Sequence, residues 1–264
     1  MKKLFIISML SLAAGATSAA SSITLNGTIR DFTPGALLPG SSNPDFQPNA
    51  VSVGLQTGLV NTTLTGTAPT AVAFGAPGYI TSADSFAQWY GAAAPSKSFA
   101  ITLSETAPGS GVYGYTNNDF FPIDNELLGN YGSTGRNFHF TYQIHATFGY
   151  TAGAHQTFSF FGDDDVWVFF DKQLGIDLGG IHPSAGASVD LDTLFAGSRD
   201  TGNYDFDLFF AERATGESML SIQTSLELVT APVPEPETYA LMLAGLAVVG
   251  AMAKRRRKPA QSCI

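Results

Sequence analysis

A single cysteine, Cys263, stands near the C-terminal residue of this 264-residue sequence. The remainder therefore has no disulfide and relies on its core alone. Basic residues are also scarce. Between Ser21 and Ala231 there are six (Arg30, Lys97, Arg136, Lys172, Arg199, Arg213) against twenty acidic ones, a formal charge of −14. Such a body repels phosphate backbones, which excludes nucleic acid as a partner. The HExxH and GxSxG patterns and the phosphate-cradling glycine loop are all missing, and no catalytic residue is assigned. Helix-period stretches are few, whereas Gly, Ser, Thr and aromatics abound, which favours an all-β fold. About 210 residues suffice for one large β domain.

The two ends are set apart by composition. Met1-Lys2-Lys3, the apolar Leu4 to Leu12 and the small residues Ala13 to Ala20 have the order of a secretory signal peptide, predicted as a helix over residues 1–20. At the other end, Pro234-Glu235-Pro236 precedes the apolar run Tyr239 to Ala253 and the basic cluster Lys254 to Lys258. As a helix that run spans about 22 Å, short for a bilayer core of about 30 Å unless flanks, tilt or thinning contribute. Arg255, Arg256 and Arg257 hold the cytoplasmic side. A plain C-terminal transmembrane anchor is the alternative. The order of parts across residues 232–258 resembles the PEP-CTERM sorting signal of Gram-negative bacteria. That resemblance implies an exosortase partner, cleavage near Pro234, Glu235 and Pro236, transient membrane insertion, and delivery to the cell surface or extracellular matrix. Residues 259–264 form a cytoplasmic tail.

Within residues 21–231 the pattern is one of short strands and turns. Ile23 to Phe32 reads as a strand with a turn at Asn26-Gly27, and Pro34 to Pro48 as a loop. Asp84 to Tyr90 reads as one helical turn or a short helix, and Phe99 to Leu103 as a strand. Phe138, Phe140, Tyr142, Ile144, Ala146 and Phe148 alternate with polar residues, among them His139 and His145, as in a half-buried strand with one wet face. Thr157 to Phe161 is another strand. Val166 to Asp171 and Leu174 to Leu178 pair as a hairpin around Lys172-Gln173. Gly179 to Ala187 is loop, and Ser188 to Leu194 a short strand. Strands follow over Tyr204 to Phe210 and Leu220 to Leu228. This spacing predicts an antiparallel β-sandwich.

Asp163, Asp164 and Asp165 run directly into Val166-Trp167-Val168-Phe169-Phe170, a strand without a polar face. Stacked carboxylates repel and persist when a cation or several donors neutralise them. Hard oxygen ligands at the mouth of a rigid strand suit Ca²⁺. The triplet is therefore the candidate metal site. Since Ca²⁺ takes six to eight ligands, a second loop must contribute, and the candidates are His182, Asp200 and Asn203. Asp119 and Asp124 are the other carboxylates a glycoside hydrolase would need, although nothing places them opposite the triplet. Glu212-Arg213 reads as a local ion pair or turn anchor. Trp89, Tyr90 and Trp167 are candidates for sugar stacking, with Trp167 assigned to the core.

The segment from Leu25 to Leu228 resembles the fibro-slime domain, a relative of the PA14 β-sandwich. The resemblance rests on Gly27 to Phe32, Asn43 to Phe46, Asp119 to Asp124, Asn137 to Thr141, Gly162 to Phe169, Asp177 to Gly180, Leu191 to Leu194 and Phe209 to Arg213. It implies a PA14-like fold in which two adjacent aspartates, here Asp163 and Asp164, are joined by a cis peptide and hold Ca²⁺ against sugar hydroxyls. Asn43 departs from the histidine frequent at that position, and Lys172-Gln173 departs from a glycine-bearing turn, which suggests a looser hairpin. The expectation is an exported matrix module, Ca²⁺-stabilised and polysaccharide-binding. A purely structural matrix protein is the alternative, and a polysaccharide hydrolase is a third reading.

Overall fold

The computed structural model describes residues 21–40, 42–47, 54–75 and 80–229. The two predicted targeting segments lie outside these residues. The described body is nearly all β, as expected. Thirteen strands are present: β1 (Ser22–Asp31), β2 (Thr33–Pro34), β3 (Ser42–Asn43), β4 (Ser96–Glu105), β5 (Tyr113–Asn117), β6 (Phe140–Tyr150), β7 (Thr157–Gly162), β8 (Asp165–Phe170), β9 (Gln173–Leu178), β10 (Ala185–Asp190), β11 (Gly202–Glu212), β12 (Leu220–Thr224) and β13 (Glu227–Val229). Two short helices accompany them, α1 (Ala83–Trp89) and α2 (Leu191–Phe195). Eleven strands form one antiparallel sheet in the order β10-β7-β12-β5-β4-β1-β6-β11-β8-β9, with β13 also pairing β6. The sheet curls on itself between barrel and sandwich. Leu25, Ile29, Ile101 and Leu103 from its middle share one core with Val166, Val168, Phe170, Phe206, Leu208 and Phe210.

A second core lies on the other side of β8 and β11. Trp167, Phe169, Phe209 and Ala211 point outward there, beneath Phe32, Phe46, Leu59, Ile80, Phe86, Trp89 and Tyr90. This explains why β8 has no polar face: all six of its residues are buried, alternately under the two cores. It also corrects the wet face expected for the segment before and within β6. Asn137, His139 and Thr141 are buried. His139 Nε2 meets Gln47 Oε1 at 3.2 Å, and Thr141 Oγ1 donates to the Trp89 carbonyl at 2.6 Å. Only His145 and Thr147, farther along, are exposed.

Other local expectations change for physical reasons. No turn occurs at Asn26-Gly27, because β1 runs straight through it. Gly27 is needed for close approach: a Cβ there would lie 2.5 Å from both the Gln143 carbonyl oxygen and Tyr142 Cε2. The β8–β9 turn is tight, and it is centred on Asp171-Lys172, with φ 46° and 67°. These angles suit a two-residue type I′ turn, and Arg199 secures Asp171 by an ion pair. The stretch expected as a strand over Ser188 to Leu194 splits instead. Asp190 ends β10 and caps α2 by accepting the Thr193 N–H at 3.0 Å. The expected short helix is α1, closed by a reciprocal Ser82–Ser85 capping box.

Two outcomes are expected. Gly27→Ala should lower stability by about 1–3 kcal/mol in urea unfolding, since backbone and a packed ring must give way. The second concerns Asp31, which is buried and accepts from Asn137 Nδ2 (2.9 Å) and the Leu128 N–H (2.7 Å). Burial pushes its carboxyl up to about 6, against the pull of these donors. The folded state thus holds this proton more tightly than the unfolded chain. The stability Asp31 confers is full at acid pH and falls as pH rises from about 4 to 6. Relative to Asp31→Asn, the wild type should lose up to about 3 kcal/mol over that window, and a flat difference would contradict the assignment.

Candidate functional site

The acidic triplet sits where β7 gives way to β8, and its three side chains part company. Asp165, the first residue of β8, faces Ala211 across the β8–β11 ladder. Its Oδ2 accepts from Arg213 Nε at 2.6 Å and its Oδ1 from the Gly180 N–H at 2.6 Å. Both partners of this ion pair are fully buried. Arg213 also donates from Nη1 to the Asp45 carbonyl at 3.3 Å and lies 4.9 Å over the Trp89 ring. Asp45 in turn accepts from Trp89 Nε1 at 2.9 Å and the Thr81 N–H at 2.7 Å. Asn43 donates to the Ser85 carbonyl and accepts from the Asp45 N–H, which is a scaffolding role.

Asp164 takes a left-handed backbone, φ 53°, which aspartate tolerates better than most residues. Its Oδ2 accepts from the N–H groups of Arg213 (2.8 Å) and Ala214 (3.2 Å), and its Oδ1 from the His182 N–H (3.2 Å). Asp163 accepts from the Met219 N–H at 2.5 Å. Asp163, Asp164 and Glu212 line a pocket of about 320 Å³ together with His182, Thr215 and Glu217.

The electrostatics of this pocket are one-sided. Burial pushes the Asp164 carboxyl up to about 7, offset in part by the Arg213 charge. Burial, then the charges of Asp164 and Asp163, drive Glu212 well above the ordinary carboxylate range. Burial also raises Asp163. Four buried carboxylates (Asp163, Asp164, Asp165, Glu212) thus meet one buried guanidinium, and Asp165 already occupies it. Two side-chain atoms at the pocket are buried without a partner, Glu212 Oε2 and His182 Nε2. The Pro183 carbonyl accepts only, so His182 Nδ1, 2.8 Å away, is the donor.

Several expected site residues lie elsewhere. Asp165 is turned into its ion pair and does not line the pocket with Asp163 and Asp164. Asp200 and Asn203 belong to the opposite end of β11, where Asn203 pairs with Gly149, so neither reaches the triplet. His182 does. The peptide between Asp163 and Asp164 is trans, as are all peptide bonds among the described residues, contrary to the cis link the resemblance implies. Trp89, Tyr90 and Trp167 are buried, which removes them as sugar platforms. Asp119 and Asp124 are engaged by Arg136. His155, Asp190 and Asp192 bring ligand atoms within 4.8 Å of one another. They are already committed, however: Asp192 accepts from Tyr150 Oη and the Gly153 and His155 N–H groups. Pro234, Glu235, Pro236 and Arg255 to Arg257 lie outside the described residues.

Glu212 was missed as a pocket residue, and Glu212-Arg213 is not a local pair. The two side chains of adjacent residues serve opposite ends of the network. The signal was present in the sequence: an acid and a base directly after the apolar Leu208 to Ala211 mirror the triplet that opens β8.

Comparison with known proteins adds the following. Residues 232–258 match the model of the PEP-CTERM protein-sorting motif. This marks the chain as exported and sorted to the surface or the extracellular space. The chain is 39% identical to protein psiQ of Dictyostelium discoideum over 244 residues, covering 86% of this chain and 24% of psiQ. It is 37% identical to psiC of the same organism over 228 residues, 79% of this chain and 42% of psiC. The chain thus spans less than half the length of these relatives. A GH31 alpha-xylosidase from Xanthomonas citri overlaps 50% of this chain and 15% of its own, at 11% identity and a TM-score of 0.25.

Arg213→Met should cost about 3–5 kcal/mol in denaturant unfolding, because it strands Asp165 in the interior. Adding Asp165→Leu should recover much of that loss. Equal and additive losses would show that the pair is not coupled.

Proposed function

We propose that this protein is an exported binding module of the cell surface or extracellular matrix whose acidic pocket takes up Ca²⁺. The observation that carries this reading is the crowding of the buried Asp163, Asp164 and Glu212 carboxyls at one pocket, with Glu212 Oε2 buried and partnerless. The donors are hard oxygens, which fits the ion. Asp163, Asp164 and Glu212 would hold it, with His182 at the pocket wall. When bound, the ion supplies positive charge and open coordination positions for the hydroxyls of a polysaccharide. The backbone donors of Arg213, Ala214, His182 and Met219 fix the carboxylates in place, so little ordering is left for binding.

A binding role is favoured over hydrolysis. Asp164 and Glu212 crowd together at one pocket, whereas hydrolysis needs two carboxyls facing each other across a substrate. A second reading, a matrix protein with no ligand, draws on the same hydrogen bonds: each aspartate of the triplet already ties a loop to a strand end. The PA14-like ancestry and a Gram-negative source belong to this proposal too. So do processing by an exosortase near Pro234 to Pro236 and transient anchoring oriented by Arg255 to Arg257.

Calorimetric titration of the chelator-treated protein with Ca²⁺ separates the readings. Binding heat is expected, with about 2.7 kcal/mol of stabilisation at a hundredfold excess over Kd. Glu212→Gln should abolish both. Absence of heat and of thermal stabilisation in the wild type would leave the ligand-free structural role.

A further inference from the structure

We propose that the outer face of the four consecutive strands β10-β7-β12-β5 is a docking surface for an uncharged polysaccharide, centred on Phe161. This surface is distinct from the acidic pocket and needs no cation.

The face is conspicuous for its lack of charge. The body carries −14, yet apart from Asp190 at the rim the outward positions of these four strands are Ser, Thr, Gln and Gly, plus one phenylalanine. Here the hydroxyls are laid out in cross-strand pairs. Ser159 Oγ meets Ser188 Oγ at 2.8 Å, and Thr116 Oγ1 meets Ser221 Oγ at 2.8 Å. Each hydroxyl keeps acceptor capacity for an outside partner.

Phe161 stands among them, 44% exposed. Its cross-strand neighbours are Gly186 on β10 and Ser221 on β12. A Cβ on Gly186 would lie 2.8 Å from Phe161 Cδ2. The ring therefore leans over bare glycine backbone, with its other face open to solvent. A flat apolar ring bordered by hydroxyls complements a sugar, which presents C–H groups on its face and hydroxyls at its edge.

A second copy of the chain is the weaker occupant. Two bodies of −14 repel. A dry sheet-on-sheet contact would also strip water from paired hydroxyls without replacing it. A polysaccharide brings its own hydroxyls and tolerates bridging water.

The test is depletion of the full-length protein from solution by insoluble cellulose, chitin, β-1,3-glucan, xylan, mannan and starch, with EDTA present. Retention is expected on at least one of these. Phe161→Ala should weaken it at least tenfold, Phe161→Tyr should preserve it, and Ser188→Glu should weaken it through charge on a solvent-facing site. If Phe161→Ala proves unstable, the Tyr and Glu variants decide. Three results would overturn the proposal: retention on none of the six, retention indifferent to Phe161 and Ser188, or a discrete dimer in sedimentation that Phe161→Ala dissolves. Because EDTA is present throughout, failure here leaves the Ca²⁺ reading untouched, and failure of calorimetry leaves this one untouched.

Discussion

The buried guanidinium of Arg213 is the constraint around which the acidic end of the molecule is organised. A full charge in the interior is tolerated only with an ion-pair partner and satisfied hydrogen bonds. Asp165 supplies the ion pair, the Asp45 carbonyl a hydrogen bond, and the Trp89 ring a cation–π contact. Each comes from a different stretch of chain. In meeting these needs, Arg213 fixes the start of β8, the Asn43 to Phe46 segment and the end of α1 relative to the end of β11. The same residue turns its backbone N–H to Asp164, so the pocket wall inherits this rigidity.

One cation cannot neutralise four carboxylates. Asp163, Asp164 and Glu212 remain, and their carboxyls shift upward because burial disfavours their charge. A protein that merely needed a strand cap would be better served by fewer acids. The proposed ion would relieve this crowding. Around it, burial does the ordinary work of a β fold. The inner core closes the curled sheet, and the segment between Phe32 and Ala94 covers β8 and β11 from outside.

Much of this was legible along the chain. Alternating apolar residues marked β6, β7, β11 and β12, and the uninterrupted Val166 to Phe170 run marked a strand covered on both faces. The Asp84 to Tyr90 stretch marked α1. The readings that failed were local inferences overruled by distant neighbours. Gly27 looked like a turn because glycine permits one, yet Tyr142 and Gln143, more than a hundred positions away, are the reason it is glycine. His139 looked wet by alternation, but Phe46 and Tyr131 pack against it. Asp171-Lys172 formed a tight turn without glycine, since Asp171 is held by Arg199 and the Asp205 carbonyl.

By itself the sequence determined the class of fold, the export address and the place where negative charge would crowd, because each is written in contiguous residues. Which of those charges stay unbalanced was decided only by the tertiary structure. It brought Arg213 to Asp165 across 48 positions and left Glu212 facing Asp164. The physical reason is that periodicity and composition act over a few residues, whereas neutralisation is settled by whatever cation folding places within hydrogen-bond reach.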